Sequence, residues 1–103
     1  MSWAEVISQR YRLHKEFKEE IEEVLKECLQ ELEDLSVPTS LSLTSHYPLE
    51  WMVCIGLKKF ILKGDDIYRA KEMYDGNGLI HSHDRNTQEV LQEILLEEFS
   101  KNF

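Results

Sequence analysis

The first 35 residues contain neither glycine nor proline, and this stretch restricts the fold more than any other. Apolar residues recur there every three or four positions, which is the spacing of one face of an α-helix. Ser2 can cap the helix, with Glu5 at the capping-box position. We therefore predict one helix over residues 2–35. Its apolar face contains Trp3, Val6, Ile7, Tyr11, Leu13, Phe17, Ile21, Val24, Leu25, Cys28, Leu29, Leu32 and Leu35.

The length of this helix is the first indication of function. At about 1.5 Å per residue it is roughly 50 Å long, which is more than a compact domain of this size needs. We expect its far end either to project from the domain or to be covered by a partner, because a long uncovered apolar stripe is a liability. The sequence therefore predicts a homodimer formed through this helix.

A second helix is predicted at the other end of the chain, over residues 86–102. Asn86 is a capping residue, and Glu89 stands at the capping-box position. Apolar residues again recur at helical spacing, including Val90, Leu91 and Leu95.

The segment between the two helices predicts a small sheet. Residues 36–48, rich in Ser, Thr and Pro, are predicted to be a linker, with room for a short edge strand where Leu41 and Leu43 alternate with polar residues. Residues 50–83 are predicted to form an antiparallel meander of three strands, 50–63, 66–74 and 79–83. In the first strand the side chains of Trp51, Val53, Ile55 and Leu57 would point one way.

The turns of this meander are predicted at "KGDD" and "DGNG", with a bulge or a turn at the lysines within residues 50–63. The result is a single α+β domain spanning residues 1–103, in the order α-β-β-β-α. The alternative is an all-α helical bundle, because "DDIYRAKEMY" also has an Asp cap, good helix formers and a helical apolar stripe.

The charge of the chain constrains its partners. The net charge is −8, and residues 1–35 carry ten acids against five bases. This balance disfavours nucleic acid and anionic membranes, because binding to either requires clustered lysine and arginine. It favours a basic surface on a partner protein.

We therefore predict a small acidic protein-interaction module, with an inhibitor, immunity-type, chaperone or adaptor role, and not an enzyme. The acidic stretch "KEFKEEIEEVLKECLQELED" is expected to dock by electrostatic attraction, with Trp3 and Phe17 as apolar anchors; Trp51 is expected in the core. The carboxylates predicted to dock are Glu16, Glu19, Glu20, Glu22, Glu23 and Glu27.

The segment "HSHD" supports an alternative function. His81 and His83 alternate on a predicted strand, so their side chains would face the same way, and Asp84 could add an oxygen ligand. A small metal-dependent enzyme or a metal sensor is therefore the first alternative, although two exposed histidines at a strand end are the expected arrangement. A structural subunit of a larger assembly is the second alternative.

Several other features point to a cytoplasmic protein without a cofactor. No P-loop or dinucleotide-binding motif is present, so no nucleotide is predicted. Cys28 and Cys54 are expected to be buried free thiols. His14 is expected to pack with one ring nitrogen hydrogen-bonded, or to lie at a dimer seam. The N-terminus has no apolar segment of signal-peptide type.

Overall fold

The computed structural model describes residues 2–102, except for the side chain of His81. It shows the predicted α+β architecture, with a long N-terminal helix, a three-stranded antiparallel sheet and a C-terminal helix, and the all-α alternative is wrong. The elements of the described chain are α1 (Trp3–Asp34), β1 (Thr39–His46), β2 (Leu49–Ile55), β3 (Lys58–Lys63), α2 (Gly64–Ala70), β4 (Met73–Tyr74), β5 (Ile80–Ser82) and α3 (Thr87–Ser100).

Both terminal helices begin at the caps that the sequence predicts. The Ser2 hydroxyl accepts a hydrogen bond from the Glu5 N–H at 3.2 Å, and the Asn86 side chain accepts one from the Glu89 N–H at 3.0 Å. The bounds of α1 and α3 agree with the predicted 2–35 and 86–102 to within two residues at each end. Side-chain caps are local interactions, which explains this agreement.

The main sheet has the order β1-β2-β3, and its middle strand carries the strict alternation of a half-buried strand. Trp51, Val53 and Ile55 are buried on one face, as predicted. Most of the predicted linker 36–48 forms the edge strand β1, with Leu41 and Leu43 half-buried on that same face.

The prediction of one strand over residues 50–63 is wrong. The chain turns back at Gly56 and Leu57, so these residues form the hairpin of β2 and β3. Gly56 has a φ of +60°, a conformation that favours glycine and fits a tight hairpin turn. Leu57 is fully exposed in this turn, whereas the strand prediction placed it with the core residues.

The predicted strand over residues 66–74 is also wrong for most of its length. Residues 64–70 form α2, in which Asp65 and Asp66 occupy the favourable first turn and Ile67 is buried. The turn predicted at "DGNG" is confirmed, because the Asp75 carboxylate accepts hydrogen bonds from the N–H groups of Asn77 and Leu79. This turn joins β4 to β5 in a separate two-stranded sheet.

The core lies between one face of the main sheet and the helices α1 and α3. Ile21 and Leu25 of α1, Trp51 of β2 and Leu91 of α3 are among its fully buried side chains. The opposite face of the sheet is more open and includes the half-buried thiol of Cys54; Cys28 is buried, and both cysteines are free.

The first third of α1 extends beyond this core. The buried residues of α1 begin only at Ile21, and the apolar side chains before residue 14 are mostly exposed. The longest dimension of the molecule, 51 Å, is close to the length of α1 at about 1.5 Å per residue. We call residues 3–13 the N-terminal arm. None of the described helices is long and apolar enough to span a membrane.

Candidate protein-interaction surface

Exposed carboxylates line the side of α1 that faces away from the core. They are spaced three or four residues apart and therefore share one helix face. The core residues Ile21 and Leu25 follow Glu19 and Glu23 by two positions, which is about half a helical turn. The carboxylates therefore lie on the side of α1 opposite the core. This acidic face consists of Glu16, Glu19, Glu23 and Glu27.

The acidic face has little charge compensation within the chain. The Lys15 ammonium lies 4.0 Å from the Glu19 carboxylate, and both side chains are more than half exposed, so this pair contributes little. Among the described residues, Glu16, Glu23 and Glu27 have no ion-pair partner. These carboxylates are therefore available to a cation from outside the chain.

Glu22, which the sequence assigns to the same docking surface, is instead engaged within the fold. Its carboxylate accepts hydrogen bonds from the Trp51 indole N–H at 3.0 Å and from the Lys18 ammonium at 2.8 Å. Burial tends to raise the pKa of Glu22, but these two hydrogen bonds and the charges of Lys18 and Lys26 outweigh it, so its pKa lies below the usual value. Glu22 thus ties α1 to the buried tryptophan of β2.

Glu20 has a similar internal role at a different contact. Its carboxylate accepts a hydrogen bond from the Thr87 hydroxyl at 2.6 Å and lies 3.7 Å from the Lys71 ammonium. Thr87 and Lys71 are both largely buried. Glu20 therefore holds the start of α3 and the residue that follows α2 against α1.

The predicted apolar anchors also differ in their surroundings. Trp3 is 77% exposed, whereas Trp51 is fully buried in the core as expected. Phe17 is half-buried and meets the ring of Tyr68 edge-on, with the ring centroids 6.1 Å apart. Of these side chains, Trp3 offers the larger accessible apolar surface to a partner.

The histidines that the sequence singles out pack against neighbouring residues. His83 stacks on Tyr68, with ring centroids 4.0 Å apart, and its Nε2 lies 3.6 Å from the Glu72 carboxylate. Asp84 is exposed, and the side chain of His81 lies outside the described residues. In the described part of the chain, no group of three or more His, Cys, Asp or Glu side chains is arranged to hold a metal ion.

His14 is half-buried, as the sequence predicts for a packed histidine. Its Nε2 hydrogen-bonds the backbone carbonyl oxygen of His46 at 2.7 Å, and its ring stacks on Tyr47 with centroids 4.1 Å apart. These contacts hold the turn between β1 and β2 against α1, just beyond the N-terminal arm.

The structure also has an apolar groove, which sequence reasoning does not identify. It lies between the C-terminal part of α1 and α3, and it encloses about 660 Å³. Apolar side chains form most of its lining, whereas Glu31 and Asp34 supply charge; its lining residues in the described part of the chain include no lysine or arginine. We call it the α1–α3 groove. Its apolar walls include Cys28, Leu32, Leu35, Leu95, Leu96 and Phe99.

The sequence does contain one signal for this groove. Leu95 and Leu96 are adjacent in α3, so they cannot both point to the centre of the core. Leu95 is buried, whereas Leu96 is 69% exposed beside the groove.

Comparison of the chain with protein-family models, with curated proteins and with solved structures gave no match.

Proposed function

We propose that this chain is a protein-interaction module whose acidic face binds a basic surface on a partner protein, in an inhibitor, immunity-type, chaperone or adaptor role. The observation that carries the proposal is the exposure of four carboxylates on one rigid helix, with a single weak internal ion pair among them. A helix fixes the spacing of such charges before binding, so the partner meets a preorganised surface.

Electrostatics give this surface its selectivity. The chain has a net charge of −8, and the acidic face concentrates part of that charge on one side of α1. A basic partner is attracted over roughly a Debye length of 8–10 Å, and like-charged surfaces are repelled. Binding through this face should therefore weaken steeply as the salt concentration rises.

The partner need not displace any contact of the fold. Glu20 and Glu22 are engaged with other elements, and we assign them to stability and not to docking. The docking carboxylates are then Glu16, Glu19, Glu23 and Glu27, with Trp3 as an apolar anchor at the far end of the helix. The two free thiols are in keeping with a site of action in the cytoplasm.

We also propose that two copies associate through α1. The support is the N-terminal arm, on which Trp3, Ile7 and Tyr11 are each more than half exposed. These residues are four positions apart and thus lie along one helix face. Pairing with a second copy would remove this apolar stripe from water.

The test of docking uses charge reversal on the acidic face. The variant Glu19→Lys/Glu23→Lys/Glu27→Lys and the wild type are immobilised at equal density, and native lysate of the source cells is passed over both at about 50 and about 500 mM salt. We expect the wild type to retain a protein of net positive charge at low salt only. The identified partner, once purified, should bind the variant at least tenfold more weakly, which corresponds to about 1.4 kcal/mol.

A matched control changes the net charge by the same amount at exposed acids outside α1. Asp65, Asp84 and Glu97 serve this purpose, because all three are exposed. The control variant should retain the partner. Equal retention of the partner by the wild type and the acidic-face variant would contradict the proposal. Loss of the partner in both the acidic-face variant and the control variant would show that binding depends on net charge and not on the acidic face.

No observation in the described residues favours a second function. The metal site at His81, His83 and Asp84 stays a prediction, because it depends on the side chain of His81. Zinc content measured after loading, for the wild type and for the double variant His81→Ala/His83→Ala, tests it. The role as a subunit of a larger assembly stays a prediction as well.

A further inference from the structure

The N-terminal arm differs in charge from the rest of α1. The arm, residues 3–13, contains Arg10 and Arg12 against the single acid Glu5. Residues 14–34 contain nine acids against three lysines. The arm is therefore a short basic segment with exposed apolar residues, on an otherwise acidic helix.

The α1–α3 groove has the complementary character. Its walls are apolar, and its charged lining residues, Glu31 and Asp34, are both acids. It lies at the C-terminal end of α1, where the helix dipole adds partial negative charge. A segment that fits this groove should carry large apolar side chains beside lysine or arginine, and the arm has both.

The arm cannot reach the groove of its own chain. Ile7 of the arm and Leu32 of the groove belong to the same continuous helix, 25 residues apart. At about 1.5 Å per residue the helix holds them roughly 37 Å apart. Any contact between the two must therefore join different molecules.

We propose that the N-terminal arm of one copy docks in the α1–α3 groove of a second copy. This rests on the dimer of the proposed function and names its two surfaces. Trp3, Ile7 and Tyr11 enter the apolar groove, and Arg10 and Arg12 lie near its acidic rim. Reciprocal exchange of arms closes a symmetric dimer, whereas one-way exchange joins copies head to tail.

The size of the contact sets the expected affinity. Three side chains of this kind bury on the order of 500 Å² of the arm, and the groove buries a similar area. The total of about 1,000 Å² falls at the lower end of specific interfaces. We therefore expect a dissociation constant in the micromolar range for each contact, and a monomer at low concentration.

The experiment uses two full-length variants, each with one acid introduced at an exposed apolar position. Ile7→Glu changes the arm, and Leu96→Glu changes the groove; these residues are 59% and 69% exposed, so neither change enters the core. Leu79→Glu, at a 65% exposed leucine of the hairpin of β4 and β5, is the control. Thermal unfolding verifies that all variants fold as the wild type does.

Sedimentation velocity between about 5 and about 500 µM, a range that brackets a micromolar constant, measures self-association. We expect the wild type and Leu79→Glu to associate, and each of the other two variants to associate at least tenfold more weakly. An equimolar mixture of Ile7→Glu and Leu96→Glu should associate again, because the first retains an intact groove and the second an intact arm. In the wild type, Trp3 fluorescence should shift to shorter wavelength as the concentration rises.

Three outcomes would overturn the inference. If Ile7→Glu is monomeric and Leu96→Glu associates like the wild type, the arms pair with each other, and only the dimer of the proposed function survives. If the mixture stays monomeric, the arm and the groove are not partners. If the wild type is monomeric throughout the concentration range, no dimer forms. The docking of a basic partner on the acidic face would then still be tested separately, by the charge-reversal variant of Glu19, Glu23 and Glu27.

Discussion

Replacement of Glu22 by alanine should destabilise the fold far more than replacement of its neighbour Glu23. The substitution leaves the indole N–H of the fully buried Trp51 without its acceptor, which costs about 1–3 kcal/mol. It also removes the ion pair with Lys18, whose two side chains are 24% and 21% exposed, for up to about 1 kcal/mol. We expect the free energy of unfolding to fall by about 2–3 kcal/mol, or by about 10–20 °C in the thermal midpoint.

The assay is urea unfolding followed by the fluorescence of Trp51. A Trp3→Phe background removes the signal of the exposed second tryptophan, so that the emission reports the core alone. Glu23→Ala is the matched control, because Glu23 is exposed and has no ion-pair partner among the described residues; its effect should stay within about 0.5 kcal/mol. Glu22→Gln keeps an acceptor oxygen for the indole, so its loss of unfolding free energy should lie between those of Glu22→Ala and Glu23→Ala.

The pH dependence provides a second, independent check. The folded-state pKa of Glu22 lies below its usual value of 4.5. Its carboxylate therefore contributes stability that is present above about pH 4.5 and is lost as the pH falls through the folded-state pKa. The difference between the wild type and Glu22→Ala should shrink as the pH falls from 7 to 3. A loss below about 0.5 kcal/mol at pH 7, or a difference that does not change with pH, would refute this account of Glu22.

Two further predictions concern packing in the folded domain. In Gly64→Ala the new Cβ would lie 2.9 Å from the Leu49 Cβ, so the free energy of unfolding should fall by about 1–3 kcal/mol in the urea assay. Gly76→Ala is the control, because its new Cβ would meet nothing within 4 Å, and it should have little effect. Burial and nearby carboxylates raise the pKa of the Cys28 thiol, so less of the reactive thiolate is present in the folded chain. In a Cys54→Ser background, iodoacetamide at pH 8 should therefore label Cys28 at least about tenfold more slowly in the folded chain than in the urea-unfolded chain. Equal labelling rates would show that this thiol is not protected.

Local signals in the sequence predict the two terminal helices well. Ser2 and Asn86 cap their helices through hydrogen bonds to residues three positions later, so the information lies within one turn. The alternation of Trp51, Val53 and Ile55 predicts their buried face for the same reason, because side chains along a strand alternate between its two faces.

Residues 50–63 were assigned to one strand, with a bulge or a turn left open at the lysines, because the turn of the β2–β3 hairpin looks like part of a strand. Gly56 and Leu57 stand within a long apolar run, and no Asn, Asp or Pro marks the reversal. The helix α2 was missed for a different reason. Its residues satisfy both a strand and a helix pattern, and the burial of Ile67 against the core, which decides between them, is a tertiary contact.

The division of the acidic residues of α1 also depends on tertiary contacts. Glu22 and Glu23 are adjacent and chemically identical, yet the first receives a hydrogen bond from Trp51, 29 positions away in the sequence. Glu20 is paired with Thr87, 67 positions away. No periodicity along α1 contains this information, so all six glutamates were assigned to docking from the sequence. The other four stay exposed, with the Lys15–Glu19 pair as the one ion pair that the described residues show among them.

The N-terminal arm is helical although it lies beyond the core. The core requires the helix only from about His14 onward, so packing within the domain does not explain why residues 3–13 are helical. Extension of a helix that is already nucleated costs far less than starting one, and an arm without glycine or proline continues it with its own hydrogen bonds. The arm is therefore held rigidly, and its exposed face keeps a fixed orientation relative to the acidic face. The proposed contact between copies uses this face, because Trp3, Ile7 and Tyr11 are each more than half exposed along it.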